Sequence, residues 1–322
     1  MASNRPFNVD PVLTAIAIGY SNPAQALIAD KVLPRMPVPQ ELFKWTEYPA
    51  VEAFTVPQTE VGRLGQVNQV EFTGKERESA VRDYGLDVPI PIGDINVARA
   101  ARAAGTGNFD PEQHAVTMLT KLVQLDREVR CATVVQDPAT YAAERRLVLA
   151  GDDQLSDYEN SDPLGVLDAA IEGPLIYRAN TLVMGNKPWS FLKRHPKLVN
   201  AVKGNLTSEG FITKQQLADL LDIRQVLVGD AHVNTARPGQ DMKLTRAWGN
   251  FISALYVDPT ASKGEATFGF TAQFGTKIAG RIEDKDVGLE GGFRIRSGEK
   301  VREVIVAKDV GCLIQNPVAE AA

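Results

Sequence analysis

An apolar run turns at a glycine into a basic, amphipathic stretch in ANTLVMGNKPWSFLKRHPKLVNAVKG, residues 179–204. Such a strand-to-helix turn can bind phosphate, because free amides at a helix N-terminus face the anion and the helix dipole favours negative charge. Here Pro188 removes one of those donors. Neither GxGxxG nor GxxxxGK[ST] occurs in the chain, so Lys187 reads as an ordinary turn residue. Lys187, Lys193, Arg194, Lys197 and Lys203 surround Trp189, a residue type able to stack a nucleic-acid base. Trp189 is nevertheless in helical register with Leu192. Both are therefore assigned to a buried core, with the lysines solvating the outer face.

The other reactive side chains are scattered. His114, His195 and His232 lack HxxxH or HExxH spacing, so no metal site is expected. No GxSxG elbow frames a serine. Cys131 and Cys312 lie far apart without a CxxC partner, which fits buried thiols better than a disulfide frame or zinc site. Acid pairs such as Asp152 with Asp153 and Glu283 with Asp284 sit in polar loops and read as solvated. The expectation is a protein that is not an enzyme and holds no cofactor.

Bulk properties narrow the class. The 322 residues carry 35 Lys and Arg against 40 Asp and Glu, a net charge of -5, and 44% are hydrophobic. That composition is ordinary for a folded protein of about two domains at roughly 150 residues each. It leaves no cationic surplus to neutralise a phosphate backbone, so a dedicated nucleic-acid binder is disfavoured. No run approaches the roughly 20 apolar residues of a membrane helix, the N-terminus lacks a secretion-signal pattern, and no self-similar period appears.

The elements that must hold these residues fall into five parts. Residues 1–42 carry prolines at 6, 11, 23, 34, 37 and 39, which block long helices and leave an extended arm without a core of its own. Residues 43–92 are rich in alternating strand formers, with the reversal at VGRLGQ, and read as a long two-stranded ribbon. An isolated hairpin is marginal in water, so the ribbon implies a partner surface. Asp110 and Pro111 open a long helix over 110–136. Gln113 stands where it would complete a capping box, and Ala115, Met118, Leu119, Leu122, Leu125 or Asp126, and Val129 follow helical spacing as the apolar stripe, with charges opposite. Residues 150–255 alternate short strands and helices. His195 and Pro196 interrupt a helix there, and Thr213 with Gln216 forms a capping box before Leu217. The last part is mostly strand, with Phe268, Phe270, Ala272 and Phe274 on one face.

Several segments in this order carry a resemblance: LVLAGDDQLSD, DPLGVLDAAIE, the 179–204 stretch, GFITKQQLADLLDIRQVLVGDAHVNTA, Trp248-Gly249 before FISALYV, and the ending KVREVIVAKDVGCLIQNPVA. Together, from about Leu147 to Val318, they resemble the major capsid proteins of tailed phages, of the HK97-like fold. The resemblance implies an α+β subunit with an N-terminal arm (1–42), an extended β-hairpin loop (43–92), and a peripheral domain (93–149) carrying the spine helix at 110–136. It further implies an α/β axial domain (150–255) and C-terminal strands (256–322) returning mainly to the peripheral domain.

It implies a structural head protein that assembles with itself, as hexamers and pentamers, into an icosahedral shell around double-stranded DNA without sequence-specific binding. Its place would be the virion, assembled in the bacterial host cytoplasm, with no membrane contact. Portal, scaffolding and decoration proteins are the implied partners. The residues ahead of the ribbon are too few for a fused scaffolding domain, so the scaffold is expected to be a separate protein. Arg63 at the ribbon tip, with no lysine beside it, argues against a Lys-Asn crosslink. Phe7, Trp45, Tyr48, Phe54, Arg63 and Phe72, in the arm and ribbon, are the candidates for inter-subunit contact. Trp189 and Leu192 are the candidates for the axial core. An encapsulin-type compartment shares the fold and is the nearest alternative; an α/β enzyme is a remote one.

Overall fold

The computed structural model describes residues 23, 26–47, 56–70, 75–174, 177–204, 209–237, 239–258 and 267–320. Helical turn α1 (Ala29–Val32) leads to β1 (Arg35–Val38), β2 (Leu42–Glu47), β3 (Lys75–Ala80) and β4 (Arg82–Pro91). Helices α2 (Ile92–Ala103) and α3 (Pro111–Gln136) follow, then β5 (Arg146–Val148), α4 (Pro163–Glu172) and β6 (Thr181–Gly185). Next come α5 (Asn186–Leu192), α6 (Pro196–Val202), α7 (Lys214–Leu220), β7 (Gln225–Gly229), β8 (His232–Asn234), β9 (Leu244–Arg246) and β10 (Phe251–Leu255). The chain closes with β11 (Gly269–Asp284), β12 (Gly292–Ile305) and β13 (Gly311–Gln315).

One sheet has the order β5-β13-β10-β6-β7, and all its strands but the exposed edge strand β5 are buried on both faces. Strand side chains alternate, and each of the central strands splits its apolar residues between two cores. Leu182, Met184, Val226, Val228, Ile252, Ala254, Cys312 and Ile314 face helices α4 to α7, among Leu167, Trp189, Leu192, Leu198 and Leu217. Val183, Leu227, Phe251, Leu255 and Leu313 face the other way, onto Cys131, Ala132 and Val135 of α3, Trp248, Tyr141, Phe268 and the α1 segment. This is why TLVMG and QVLVG read as unbroken apolar runs: both sides need apolar cover.

A second sheet, β1-β11-β12-β4, packs its β4 and β12 against the first half of α3 and against α2, through Ile90, Ile95, Ala115, Leu119 and Ile295. The helix α3 therefore serves two sheets. Its buried stripe is Ala115, Leu119, Val123, Arg127, Cys131 and Val135, a step of four residues. Four residues advance about 40° beyond one turn, so the stripe winds round the helix and presents different sides to the two cores. The straight stripe expected from the sequence is corrected accordingly: Leu122 is exposed, and the buried pair Arg127 and Glu128 contradicts charges kept opposite. Asp110 caps the helix by accepting from the N–H groups of Glu112 and Gln113, and its other oxygen accepts from Arg102 at 2.8 Å.

Three further expectations are modified. The ribbon's paired part is β2 with β3, from Leu42↔Ala80 to Glu47↔Lys75, whereas Arg82–Pro91 leaves it to register along β12. The final strand, β13, does not return to the peripheral sheet but enters the α/β sheet between β5 and β10. The second half of the N-terminal arm is not coreless, since Ile28, Ala29, Val32 and Leu33 are buried against α3 and β1 pairs in parallel with β11. Alternation tells which residues face inward but not which strand lies beside them, and the first two differences are of that kind.

Candidate assembly surfaces

The turn at Gly185 has no room for an anion. A Cβ placed on Gly185 would lie 2.0 Å from the carbonyl oxygen of Gly249, and one on Gly229 would lie 2.1 Å from the Trp248 ring. The 185 and 229 ends of the parallel β6–β7 pair are thus packed solid by the Trp248–Gly249 backbone and indole. Lys187 donates to the carbonyl of Ala319 at 3.0 Å, Trp189 and Leu192 are buried in the α/β core, and α5 is only seven residues long.

His195 caps α6. Its Nδ1 accepts the Lys197 backbone N–H at 3.2 Å, which fixes the neutral tautomer with Nε2–H donating to Ser161 Oγ at 3.1 Å. Ser161 in turn donates to the carbonyl of Asp157. Burial, with Lys197 nearby, pulls the imidazole down to about 4. A buried imidazole whose two nitrogens are already committed is a structural part, not a general base. Burial likewise pushes both free thiols, Cys131 and Cys312, upward, so neither is a nucleophile near neutral pH. Among the described residues no group of His, Cys, Asp and Glu could hold a metal ion, and no helix is long and apolar enough to cross a membrane.

What the fold leaves unburied lies elsewhere. Residues 56–70 form the end of the ribbon, reversed by a turn in which the Gly65 N–H bonds the Gly62 carbonyl at 2.8 Å. Val56 and Leu64 are each 92% exposed, and Val67, Val70 and Arg63 are exposed beside them. Among the described residues nothing covers these side chains, an arrangement costly in water for an isolated chain and natural for a surface that another molecule covers. Trp45, at the base of the ribbon, is half-buried. It stacks on Phe43, and both join Phe270, Ala272 and Val304 in a small core of the subunit itself. Phe7, Tyr48, Phe54 and Phe72 lie outside the described residues.

An ionic node that sequence reasoning missed ties the arm to the body. Glu128, 1% exposed, accepts from the N–H groups of Ile28 at 2.8 Å and Ala29 at 2.9 Å and from Trp248 Nε1 at 2.6 Å. Burial pushes its carboxyl up, against the pull of those three donors. Next to it Arg127 bonds Asp30, the Leu33 carbonyl at 3.2 Å and Thr271 Oγ at 3.0 Å. Arg35 bridges Asp30 and the buried Glu299, at 2.7 Å to each. Burial opposes ionisation of Asp30, but Arg127 and Arg35 beside it hold its carboxyl below the usual range. A cavity of ≈180 Å³ at this node is lined by Leu27, Asp30, Gln124, Arg127 and Glu128, too small and too committed internally to suggest a substrate pocket. The only signal available was an Arg-Glu pair inside the apolar half of a long helix.

No protein-family model matches the chain. It is 43% identical over 318 residues to the major capsid protein of Pseudomonas phage JBD67, covering 98% of this chain and 99% of that one. Among solved structures, a phage-related protein from Bordetella bronchiseptica RB50 superposes with a TM-score of 0.69 at 25% identity, over 96% of this chain and 97% of that one. The capsid of cyanophage P-SCSP1u shares the fold at 9% identity, with a TM-score of 0.60 over 92% and 89% of the two chains.

Proposed function

The chain belongs to the major capsid proteins of tailed phages, and from that premise we propose that it builds the icosahedral head as hexamers and pentamers of a single subunit, enclosing double-stranded DNA. The observation that carries this reading is near end-to-end similarity, at 43% identity, to a phage major capsid protein. The encapsulin alternative shares the fold, but this relative is a phage protein. The chain is a structural component of the virion that assembles with itself and is not an enzyme. Its net charge of -5 suits a container that confines DNA without a long cationic track, which would bind tightly and respond steeply to salt.

Within that reading, residues 1–42 serve as the N-terminal arm and 43–92 as the extended loop. Residues 93–149 and most of 256–322 form the peripheral domain, and 150–255 the axial domain that gathers around fivefold and sixfold positions. Inter-subunit contacts would draw on Phe7, Trp45, Tyr48, Phe54, Arg63 and Phe72. The exposed apolar residues at 56–70 support a role for the ribbon at such contacts. A portal, a separate scaffold and a decoration protein are the further partners, met during assembly in the host cytoplasm. Electron microscopy of the purified protein tests the reading. Closed icosahedral particles with capsomers of five and six are expected. Folded subunits that never close, even when co-produced with the scaffolding protein, would overturn it.

A further inference from the structure

The outer half of β11 is an open sheet edge. β1 registers only with Thr271 to Phe274, and the β11–β12 register then shifts between Phe274 and Ile278, as at a bulge. From Ile278 to Asp284 β11 pairs with β12 on one side, and among the described residues no strand lies along the other. Every residue from 275 to 283 is exposed, with Ile278 at 56% and Ile282 at 46%. The opposite edge of the same sheet is blunted by Pro89 and Pro91 in β4, which have no N–H to offer. The β11 edge carries no such protection.

Its sequence, Lys277-Ile278-Ala279-Gly280-Arg281-Ile282-Glu283, is self-complementary about its centre. We propose that this segment forms an antiparallel β-contact across a twofold axis with the same segment of a second copy of the chain, Gly280 facing Gly280. Lys277 then faces Glu283, Ile278 faces Ile282 and Ala279 faces Arg281, each pair occurring twice, as an isologous interface requires. Directly opposed antiparallel residues share one bonding parity, so the neighbouring registers differ by two residues. One of them sets Arg281 against Arg281 and the other sets Lys277 against Arg281, and like charges directly opposed are destabilising.

The faces agree as well. Arg281 lies opposite Ile295, on the α3 side, where it bonds Glu112 at 3.2 Å. The two isoleucines therefore point to the outer face, where the pairing would merge four of them into one covered patch. Among the described residues neither Lys277 nor Glu283 has an ion-pair partner of its own. The contact presupposes self-assembly but not any particular shell geometry.

Gly280→Cys provides the test. A Cβ there meets nothing within 4 Å and φ is not positive, so the substitution is tolerated by the subunit, and both native cysteines are buried. Facing residues of an antiparallel pair have Cα atoms about 4.5–5.5 Å apart, within disulfide range. Mild oxidation of assembled Gly280→Cys particles is expected to give covalent dimers on a non-reducing gel, and no longer ladder, because the contact closes at two. Monomer alone from intact particles would overturn the twofold contact while leaving the capsid assignment untouched. Adding Lys277→Glu should lower the dimer yield about tenfold by opposing two glutamates, and adding Glu283→Lys to that should restore it. Equal yields from the single and double charge variants would also overturn it. Should Gly280→Cys not assemble, the same charge series in the native background, read as particle yield, decides in the same way.

Discussion

The Glu128 carboxylate accepts the indole N–H of Trp248 across 120 positions of sequence, while the same carboxylate takes the backbone N–H groups of Ile28 and Ala29. A single side chain in the middle of α3 thus fastens the N-terminal segment and the Trp248 loop that packs the ends of β6 and β7. Replacing it by alanine leaves three buried donors without an acceptor, at about 1–3 kcal/mol each before water enters. Glu128→Ala is expected to lose about 3 kcal/mol or more in denaturant unfolding of the unassembled subunit, and hydrogen exchange at Ile28 and Ala29 should rise with it. Unchanged exchange at those two amides would mean the node does not hold the arm.

The pH response should centre on His195. Its imidazole is neutral in the fold with a pKa of about 4, against about 6.5 when unfolded. Between those values His195 binds more protons in the unfolded chain than in the folded one, so its contribution to stability rises with pH through this window and is lost as pH falls from about 6.5 to 4. The loss amounts to a few kcal/mol at about 1.4 kcal/mol per unit. His195→Asn, which caps α6 without titrating near neutrality, should flatten the difference between unfolding midpoints at pH 7 and pH 5. An equal slope in both proteins would place the titration elsewhere.

Two glycines should respond oppositely to a methyl group. At Gly185 the added Cβ meets the Gly249 backbone at 2.0 Å, a contact that no side-chain rotation relieves. Gly185→Ala should cost about 2–3 kcal/mol or prevent folding, as overpacking does. Gly280→Ala adds its Cβ in open space and should leave the subunit's midpoint within about 0.5 kcal/mol. Thermal unfolding of the two variants side by side separates the cases.

Asp110→Ala removes both the side-chain cap of α3 and the Arg102 contact. A loss of about 1 kcal/mol is expected. It should be read in subunit unfolding, with fraying confined to the first turn of α3 in hydrogen exchange.

These sites differ in how visible they are from sequence. The Asp110-Pro111 start of α3, the Thr213–Gln216 box and the break at His195 are local signals, and local geometry follows them. Glu128 is different. Its reading depends on Trp248 and on two backbone amides 99 and 100 positions away, and a charged pair within a helix ordinarily marks a solvated face. The same holds for strand partners. Arg82–Pro91 alternates equally well as an arm of the ribbon or as the partner of β12, and only the tertiary fold chooses.

The ribbon tip separates folding from assembly. Leu64 and Val67 touch no core and are exposed in the subunit, so a charge there removes no buried contact. Leu64→Asp with Val67→Asp is expected to shift subunit unfolding by no more than about 0.5 kcal/mol. If the tip is covered by a neighbouring copy, the same two charges must be desolvated there without partners, each costing several kcal/mol per contact. That penalty recurs in every subunit of a shell. The double variant should therefore fold and remain soluble while sedimentation and microscopy show no closed particles. Normal particles from a normally folded double variant would show that residues 56–70 stay in water after assembly, and would leave the inter-subunit contacts to the β11 edge and the arm.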